Sequence, residues 1–166
     1  MEKQLIGIIS DTHDNLDAID KAIDIFNSKG VFLVIHAGDY IAPFAIARFS
    51  KLNAELVGVF GNNDGEKRGL QNKASDLGTK IEDLLEFTHG GRKIAVYHGT
   101  IKAVFDALVK SKSYDIVIRG HDHKAYTKIA EGVLVINPGE ACGYLGGKRT
   151  LCILDIEKLR AEIVEF

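Results

Sequence analysis

Apolar and polar positions alternate along the start of the chain with two different periods. Leu5–Ile9 is an almost continuous apolar run, which is typical of a strand buried on both faces. An amphipathic helix is predicted next, with Asp14 or Asn15 as its N-cap and Gly30 at its C-terminal end. Its apolar positions recur at helical spacing, at Leu16, Ile19, Ala22, Ile23 and Phe26.

The same order of strand and helix continues through residue 60. Residues 31–35 and 56–60 predict two more buried strands, and a helix that begins near Pro43 and continues through Leu52 separates them. Strand–loop–helix units in succession predict parallel strands joined by right-handed crossovers. The polar loops that follow these strands then lie at their carboxyl ends, where open α/β sheets place their ligand sites.

The second half of the chain predicts more antiparallel pairing. Gly90-Gly91 and Glu131-Gly132 are turn signals between strand-like segments, so each indicates a hairpin. An amphipathic helix is predicted around Phe105, and residues 66–80 predict a surface loop that is partly helical. Further strands are predicted at residues 116–118, 150–156 and 160–166. We therefore expect an α/β fold with four layers, an α-β-β-α sandwich of two mixed sheets flanked by helices, formed by one domain over residues 1–166.

Composition and charge narrow the function classes. The chain has 21 basic and 23 acidic side chains and a formal charge of −2, which disfavours binding to long nucleic acid or to an anionic membrane surface. Its apolar runs are too short to cross a bilayer, and residues 1–4 leave no room for a signal peptide. Cys142 and Cys152 lack the spacing of a disulfide framework or a thiolate metal site, so we expect a cytoplasmic protein.

Side chains that can bind metal ions collect where the predicted strands end. They are Asp11, His13, Asp39, Asn62, His98, His121 and His123. Because successive parallel strands bring their carboxyl ends to one edge of a sheet, we expect these residues to meet there. Oxygen and nitrogen donors without a thiolate suit Mn²⁺, Fe²⁺, Co²⁺, Ni²⁺ or Zn²⁺. The set exceeds what one ion needs, and with a shared carboxylate it suits two ions about 3.5–4 Å apart.

Each of these residues also has an ordinary structural interpretation. A strand-end aspartate or asparagine is commonly a helix cap or turn former, and His121 and His123 could be solvent-facing residues of a loop. His89 lies on the same hairpin as His98 and competes with it, although His98 is favoured by its place at the strand exit. We expect His36 to be a core or supporting histidine and Asp64 to orient a neighbour or cap a turn.

The order of the motifs carries a family resemblance. Between Ser10 and Pro138 the chain contains the series Asp-x-His, Gly-Asp, Gly-Asn-x-Asp, His-Gly and Gly-His-x-His. This series resembles the calcineurin-like metallophosphoesterases, and the compact chain is similar to the small single-domain bacterial and archaeal phosphodiesterases of that superfamily. It also resembles the retromer subunit that shares this fold. The resemblance implies a divalent-metal-dependent phosphodiesterase that acts on a small phosphate ester and holds two ions per chain, with Mn²⁺ or Ni²⁺ preferred.

The resemblance also implies a role for each donor. The implied ligands are Asp11, His13 and His123 for the first ion, Asn62, His98 and His121 for the second, and Asp39 for both. A hydroxide that bridges the two ions would attack phosphorus in line. The implied catalytic residues are Asp39, Asn62, His98 and Asn63.

The chain departs from the family pattern near the implied site. Asn63 stands where many members have a histidine that helps to protonate the leaving group, and an amide cannot act as a general acid. This change favours activated diesters, or protonation by water. Asp122 replaces the usual threonine and adds negative charge near the site, and Glu140 ends an Asn-Pro-Gly turn that usually ends in serine.

Two other functions fit parts of the sequence. A non-catalytic protein-binding scaffold of the same fold is the alternative to an enzyme, although the chain keeps every implied metal ligand. A nuclease fits the chemistry, but the sequence lacks a basic stripe or an aromatic stacking platform. If phosphate binding needs cations besides the metals, Lys67-Arg68 and Lys148-Arg149 are the candidates. The sequence is also compatible with a homo-oligomer.

Overall fold

The computed structural model describes residues 4–166. The expectation about a signal peptide depends on the start of the chain, and residues 1–3 of the predicted domain lie outside the described residues. Within residues 4–166, none of the helices is both long enough and apolar enough to cross a membrane.

Two mixed β-sheets form the centre of the molecule. The first sheet contains β1 (Leu5–Ile9), β2 (Leu33–His36), β3 (Glu55–Val59), β4 (Ile81–Glu82), β10 (Thr150–Asp155) and β11 (Arg160–Glu165), in the spatial order β11-β10-β1-β2-β3-β4. The second contains β5 (Leu85–His89), β6 (Arg92–Val96), β7 (Ile116–Ile118), β8 (Ala125–Ala130) and β9 (Val133–Pro138), in the order β5-β6-β7-β9-β8. The pairs β1–β2 and β2–β3 are parallel, as the strand–helix alternation predicts, and β6–β7 and β7–β9 in the second sheet are parallel too.

Helices cover the outer face of each sheet. They are α1 (Leu16–Lys29), α2 (Pro43–Ala47), α3 (Lys67–Asp76) and α4 (Lys102–Lys110). Alternate strand residues point to opposite faces, so Ile6 and Ile8 of β1 pack between the sheets against residues such as Ile94 and Ile118, whereas Ile9 packs under α1. The predicted four-layer α-β-β-α sandwich is confirmed.

Local sequence signals place the first helix and the hairpins. The side chain of Asn15 accepts a hydrogen bond from the Ala18 N–H as the N-cap of α1, and Gly30 ends the helix in a left-handed conformation. The turns Gly90-Gly91 and Glu131-Gly132 have positive φ at both residues, which is the geometry that two-residue hairpins favour. Both predicted hairpins are therefore confirmed.

Three elements differ from the prediction. The helix that begins at Pro43 is α-helical only to Ala47 and continues as a 3-10 helix over Arg48–Lys51. Residues 66–80 contain the regular helix α3, whose Leu70 and Ala74 are buried. The weak periodicity of this segment hid a helix that is stabilised by tertiary packing. The short strand β4 also escaped prediction, because two residues carry too little pattern.

Candidate metal centre

The seven metal-ligand candidates lie at the carboxyl ends of parallel strands from both sheets. Asp11 and His13 follow β1, Asp39 follows β2 and Asn62 follows β3, whereas His98 follows β6 and His121 and His123 follow β7. Backbone hydrogen bonds continue past the strands: the Asp11 N–H donates to the Gly38 carbonyl at 3.0 Å, and the His13 N–H donates to the Asp39 carbonyl at 3.1 Å. These bonds hold the first two loops side by side.

Asp11, His13 and His123 form one half of the cluster. Oδ1 of Asp11 lies 3.7 Å from His13 Nε2 and 3.3 Å from His123 Nε2. The Asp11 side chain is fully buried, and its other oxygen accepts hydrogen bonds from the Ser10 hydroxyl and the His121 N–H. The neighbouring Asp11 carboxylate raises the pKa of His13, although burial acts in the opposite direction.

The carboxylate of Asp39 lies between the two halves. Its Oδ2 is 3.5 Å from His13 Nε2 and 3.4 Å from His98 Nε2. Asn63 holds both oxygens, because its backbone N–H donates to Oδ1 at 2.9 Å and its side-chain amide donates to Oδ2 at 2.8 Å. Burial tends to raise the pKa of Asp39, but the hydrogen bonds from His98 and Asn63 outweigh that effect and lower it.

Asn62, His98 and His121 form the other half. Asn62 Oδ1 lies 3.0 Å from His98 Nε2 and 2.9 Å from His121 Nδ1. The buried ring of His98 has its Nδ1 2.7 Å from the Ala37 carbonyl, so Nδ1 carries the proton in the neutral ring and Nε2 faces the cluster. His89, the competing histidine, stacks on Phe32 instead, with ring centroids 4.5 Å apart.

The cluster has the properties of a cation site. Among residues 4–166, the buried side-chain atoms without a hydrogen-bond partner are Asp11 Oδ1 and His13 Nε2. These two atoms face each other, and a buried polar atom without a partner is costly unless a ligand satisfies it. The ligand atoms of Asp11, His13 and His123 lie within 4.8 Å of one another, and so do those of Asp11, Asp39 and His98. The donors present therefore fit divalent metal ions.

Close approach of the loops depends on Gly120. A Cβ at this position would contact the Ser10 hydroxyl and would lie 2.6 Å from Asp11 Oδ2. The loop that bears His121 and His123 could not then reach β1. Any larger residue at this position would separate the histidines supplied by the second sheet from the aspartate supplied by the first.

The backbone of the cluster is strained. Five of the seven candidates have positive φ, between 41° and 77°: Asp11, His13, Asp39, His121 and His123. Residues other than glycine seldom adopt this conformation, and it is concentrated at functional sites, where the surrounding structure enforces it.

The sequence matches a known protein family over nearly its whole length. The model of the calcineurin-like phosphoesterase superfamily domain matches residues 5–159. The chain belongs to this superfamily. A phosphodiesterase of Methanocaldococcus jannaschii is 45% identical to this phosphoesterase over 155 residues, which cover 92% of the chain and 93% of the relative. A probable metallophosphoesterase of Methanothermobacter thermautotrophicus is 31% identical over an alignment of 170 positions, which covers 96% of the chain and 91% of the relative.

Solved structures support the same assignment. The structure of an archaeal phosphodiesterase matches this phosphoesterase with a TM-score of 0.94 and 43% identity, over 98% of this chain and 99% of that one. Vps29 of Chaetomium thermophilum matches with a TM-score of 0.73 but only 16% identity, over 98% of this chain and 94% of that one. The second similarity shows the shared fold.

Two supporting residues occupy the places that the sequence indicates. The buried Asp64 accepts hydrogen bonds from the backbone N–H groups of Asp39, Ile41 and Gly61 at 2.7–2.9 Å, so it fixes the loop that presents Asp39. His36 is fully buried and stacks on Tyr40, with ring centroids 3.7 Å apart. Both expectations, an orienting aspartate and a core histidine, are confirmed.

Asp122 and Glu140 have contacts that the sequence did not reveal. The Asp122 carboxylate contacts residues outside the ligand set: its Oδ1 accepts a hydrogen bond from the Asn137 amide at 2.6 Å, and its Oδ2 lies 3.6 Å from the Arg119 guanidinium. Its charge is therefore partly neutralised by Arg119. Glu140 is buried and contacts the His123 ring directly. The sequence showed that Glu140 departs from the Asn-Pro-Gly-Ser pattern, but it did not predict this contact.

Three of the four cations suggested for phosphate binding are engaged in ion pairs. Lys67 lies 2.6 Å from Asp83, Lys148 lies 2.9 Å from Glu165, and Arg149 lies 2.7 Å from Asp17. All three pairs are at the surface, where such contacts stabilise weakly. The role of these cations in phosphate binding stays a prediction.

Proposed function

We propose that this phosphoesterase is a divalent-metal-dependent phosphodiesterase with two ions in its active site. The observation that carries the proposal is the position of Asp39 Oδ2, 3.5 Å from His13 Nε2 and 3.4 Å from His98 Nε2. One carboxylate thus serves two groups of donors, which is the arrangement that a two-metal site needs. The relative of Methanocaldococcus jannaschii that is named as a phosphodiesterase supports the substrate class.

The proposed ligands divide between the two halves of the cluster. Asp11, His13 and His123 would hold the first ion, Asn62, His98 and His121 the second, and Asp39 both. Mn²⁺ and Ni²⁺ are the proposed metals because the family resemblance implies them, and oxygen and nitrogen donors without a thiolate are compatible with both. When bound, the ions supply an activated water nucleophile and offset the negative charge that develops on the phosphoryl oxygens.

The remaining residues of the site position these ligands. The Ala37 carbonyl fixes the His98 ring with Nε2 toward the cluster, and Asp64 fixes the backbone of Asp39. Asn63 holds the Asp39 carboxylate through two N–H groups. Preorganised ligands of this kind reduce the reorganisation needed during the reaction.

The proposal favours diesters over monoesters. Asn63 occupies the place of the family's proton-donating histidine, and its amide is already bonded to Asp39 at 2.8 Å. Because an amide supplies no proton at neutral pH, esters whose leaving groups need no general acid are the better substrates. A diester also carries less negative charge than a monoester, so it needs fewer cations besides the metals, and Lys67, Lys148 and Arg149 are already paired with carboxylates.

The net charge and the cysteines indicate the class of substrate and the location that we propose. We propose that the catalytic domain spans residues 1–166 and that small esters, rather than long nucleic acids, are its substrates, in keeping with the net charge of −2. A cytoplasmic location is part of the proposal, and the two free, buried cysteines support it.

Hydrolysis of an activated diester tests the function. We expect the purified protein to hydrolyse bis(4-nitrophenyl) phosphate when Mn²⁺ or Ni²⁺ is added, and the Asp39→Asn variant to fall to the background rate of chelated protein. Asp83→Asn, at an exposed aspartate, is the matched control and keeps full activity. Full activity in a chelated, metal-free preparation contradicts the proposal. Less than one bound ion per chain, together with no hydrolysis, would instead favour the scaffold.

A further inference from the structure

Glu140 is a buried carboxylate outside the proposed ligand set. Its side chain is 1% exposed, and its Oε2 lies 2.7 Å from His123 Nδ1. The same carboxylate accepts hydrogen bonds from the backbone N–H groups of Leu145, at 3.1 Å, and of Gly146. The thiol of Cys142 also donates to Oε2, at 3.4 Å. Glu140 therefore connects the ring of His123, a proposed ligand, to the loop that follows Glu140 in sequence.

The contact between Glu140 and His123 defines which ring nitrogen carries the proton. A carboxylate can only accept hydrogen bonds, so Nδ1 of the neutral His123 ring must be the N–H donor. Nε2 then presents a lone pair toward Asp11 Oδ1, 3.3 Å away. Two acceptors that face each other at this distance repel unless a cation lies between them. The Glu140 contact thus prepares His123 for a metal ion.

We propose that Glu140 is a positioning residue of the metal centre, which holds His123 with Nε2 toward Asp11 and fastens the loop of residues 142–147 beside it. The inference rests on the proposed function, because only there is His123 a metal ligand. Carboxylates that accept the second N–H of a ligating histidine fix the ring orientation and raise the basicity of the other nitrogen. Glu140 reaches His123 from a different loop, across 17 positions of sequence.

The grouping of His123, Glu140 and Cys142 is explained by hydrogen bonds and does not require a third metal ion. His123, Glu140 and Cys142 have ligand atoms within 4.8 Å of one another. However, the oxygens of Glu140 already accept hydrogen bonds from the ring, from both backbone N–H groups and from the thiol. Burial raises the pKa of the Cys142 thiol to about 12, so the thiol keeps its proton at neutral pH.

The Glu140→Gln variant tests the proposal with little change in shape. A carboxylate accepts on both sides, whereas an amide must turn its N–H₂ either to His123 or to the loop N–H groups. We expect titration of the metal-free protein with Mn²⁺ to show one of the two ions bound on the order of 10- to 100-fold more weakly. Glu165→Gln, at an exposed glutamate paired with Lys148, is the matched control and keeps both affinities.

The tautomer of His123 is a second measurement that needs neither metal nor activity. In nitrogen NMR spectra of the metal-free wild type, we expect His123 to carry its proton on Nδ1. A neutral His123 ring that carries its proton on Nε2 in the wild type overturns the proposal even if Glu140→Gln fails to fold. Unchanged Mn²⁺ affinities in a folded Glu140→Gln variant also overturn it, since a purely structural glutamate would alter thermal stability alone.

These outcomes are distinct from failure of the proposed function. A wild type that binds two Mn²⁺ ions but hydrolyses no diester contradicts the phosphodiesterase and leaves the Glu140 result interpretable. A wild type that binds both ions, and whose Glu140→Gln variant does so equally well, contradicts only the role of Glu140.

Discussion

At the scale of single residues, His36 is a titratable group held without charge. The Gly38 N–H donates to its Nδ1 at 3.1 Å, so its Nε2 carries the proton and bonds to the Thr12 hydroxyl at 3.1 Å. Complete burial lowers the pKa of His36 from 6.5 to about 3. The folded protein therefore keeps this ring neutral at pH values where the unfolded chain protonates it.

This shift predicts an acid-dependent loss of stability. As the pH falls from 6.5 toward about 3, the unfolded chain takes up a proton at His36 and the folded chain does not, so the free energy of unfolding decreases. The expected slope from this group is about 1.4 kcal/mol per pH unit. We expect the His36→Gln variant to lose stability less steeply than the wild type, as measured by urea unfolding in chelator across this pH range. Equal slopes would contradict the prediction.

The ligand candidates could be predicted from the sequence, but their supports could not. Asp11, His13 and Asp39 follow buried strands, and that local pattern is enough to bring them to one edge. The contact between Glu140 and His123 depends instead on how two separate loops pack. No periodicity or spacing encodes such a contact, so the sequence indicates only that Glu140 differs from the family pattern at this turn.

At the scale of elements, helix α1 packs very closely on strand β1. Gly7 lies beneath the fully buried ring of Phe26, and a Cβ at residue 7 would lie 2.5 Å from Phe26 Cδ1. The ring cannot move aside easily, because it belongs to the apolar cluster with Ile19 and Ile23. The absence of a side chain at Gly7 thus sets the distance between the helix and the sheet.

Adding one methyl group to this contact should destabilise the fold. We expect Gly7→Ala to lower the free energy of unfolding by about 1–3 kcal/mol, because overpacking forces the helix or the ring to shift. Gly65→Ala is the control, since a Cβ there would have nothing within 4 Å. Urea unfolding of both variants measures the difference. A Gly7→Ala variant as stable as Gly65→Ala would contradict this packing argument.

The elements that the sequence predicted and the elements that it missed differ in the source of their stability. The hairpin turn at Gly90-Gly91 is encoded by the turn residues themselves, so its prediction succeeded. Helix α3 instead depends on two buried residues, Leu70 and Ala74, that pack against Tyr40 and Ile81. Tyr40 is distant in sequence and Ile81 lies beyond the end of the helix, so the local pattern of α3 alone indicates only a partly helical loop.

At the scale of the molecule, the proposed metal centre lies across both sheets. Asp11 and Asp39 come from the first sheet, whereas His98, His121 and His123 come from the second. The sequence predicted two sheets, but it could not show that β10 pairs with β1, because that pairing joins residues near opposite ends of the chain. Ions held by both sheets would link them directly.

Metal binding should therefore stabilise the whole fold. Mn²⁺ at about 100 times its Kd is expected to raise the free energy of unfolding by about 2.7 kcal/mol for each site, with one cooperative transition retained. The His98→Ala variant should lose the contribution of the second ion, and His89→Ala is the matched control outside the cluster. Urea unfolding with Mn²⁺ and with chelator measures both. An equal Mn²⁺ effect in His98→Ala and wild type would contradict the prediction.

The left-handed backbone of the ligand loops has an evolutionary consequence. Each such residue costs on the order of 1–3 kcal/mol, and glycine would avoid most of this cost. Selection for ion binding must therefore continually oppose glycine replacements that would make the folded protein more stable. In a lineage released from that selection, we expect glycine to appear first at Asp11, His13, Asp39, His121 and His123, while the apolar interior stays unchanged.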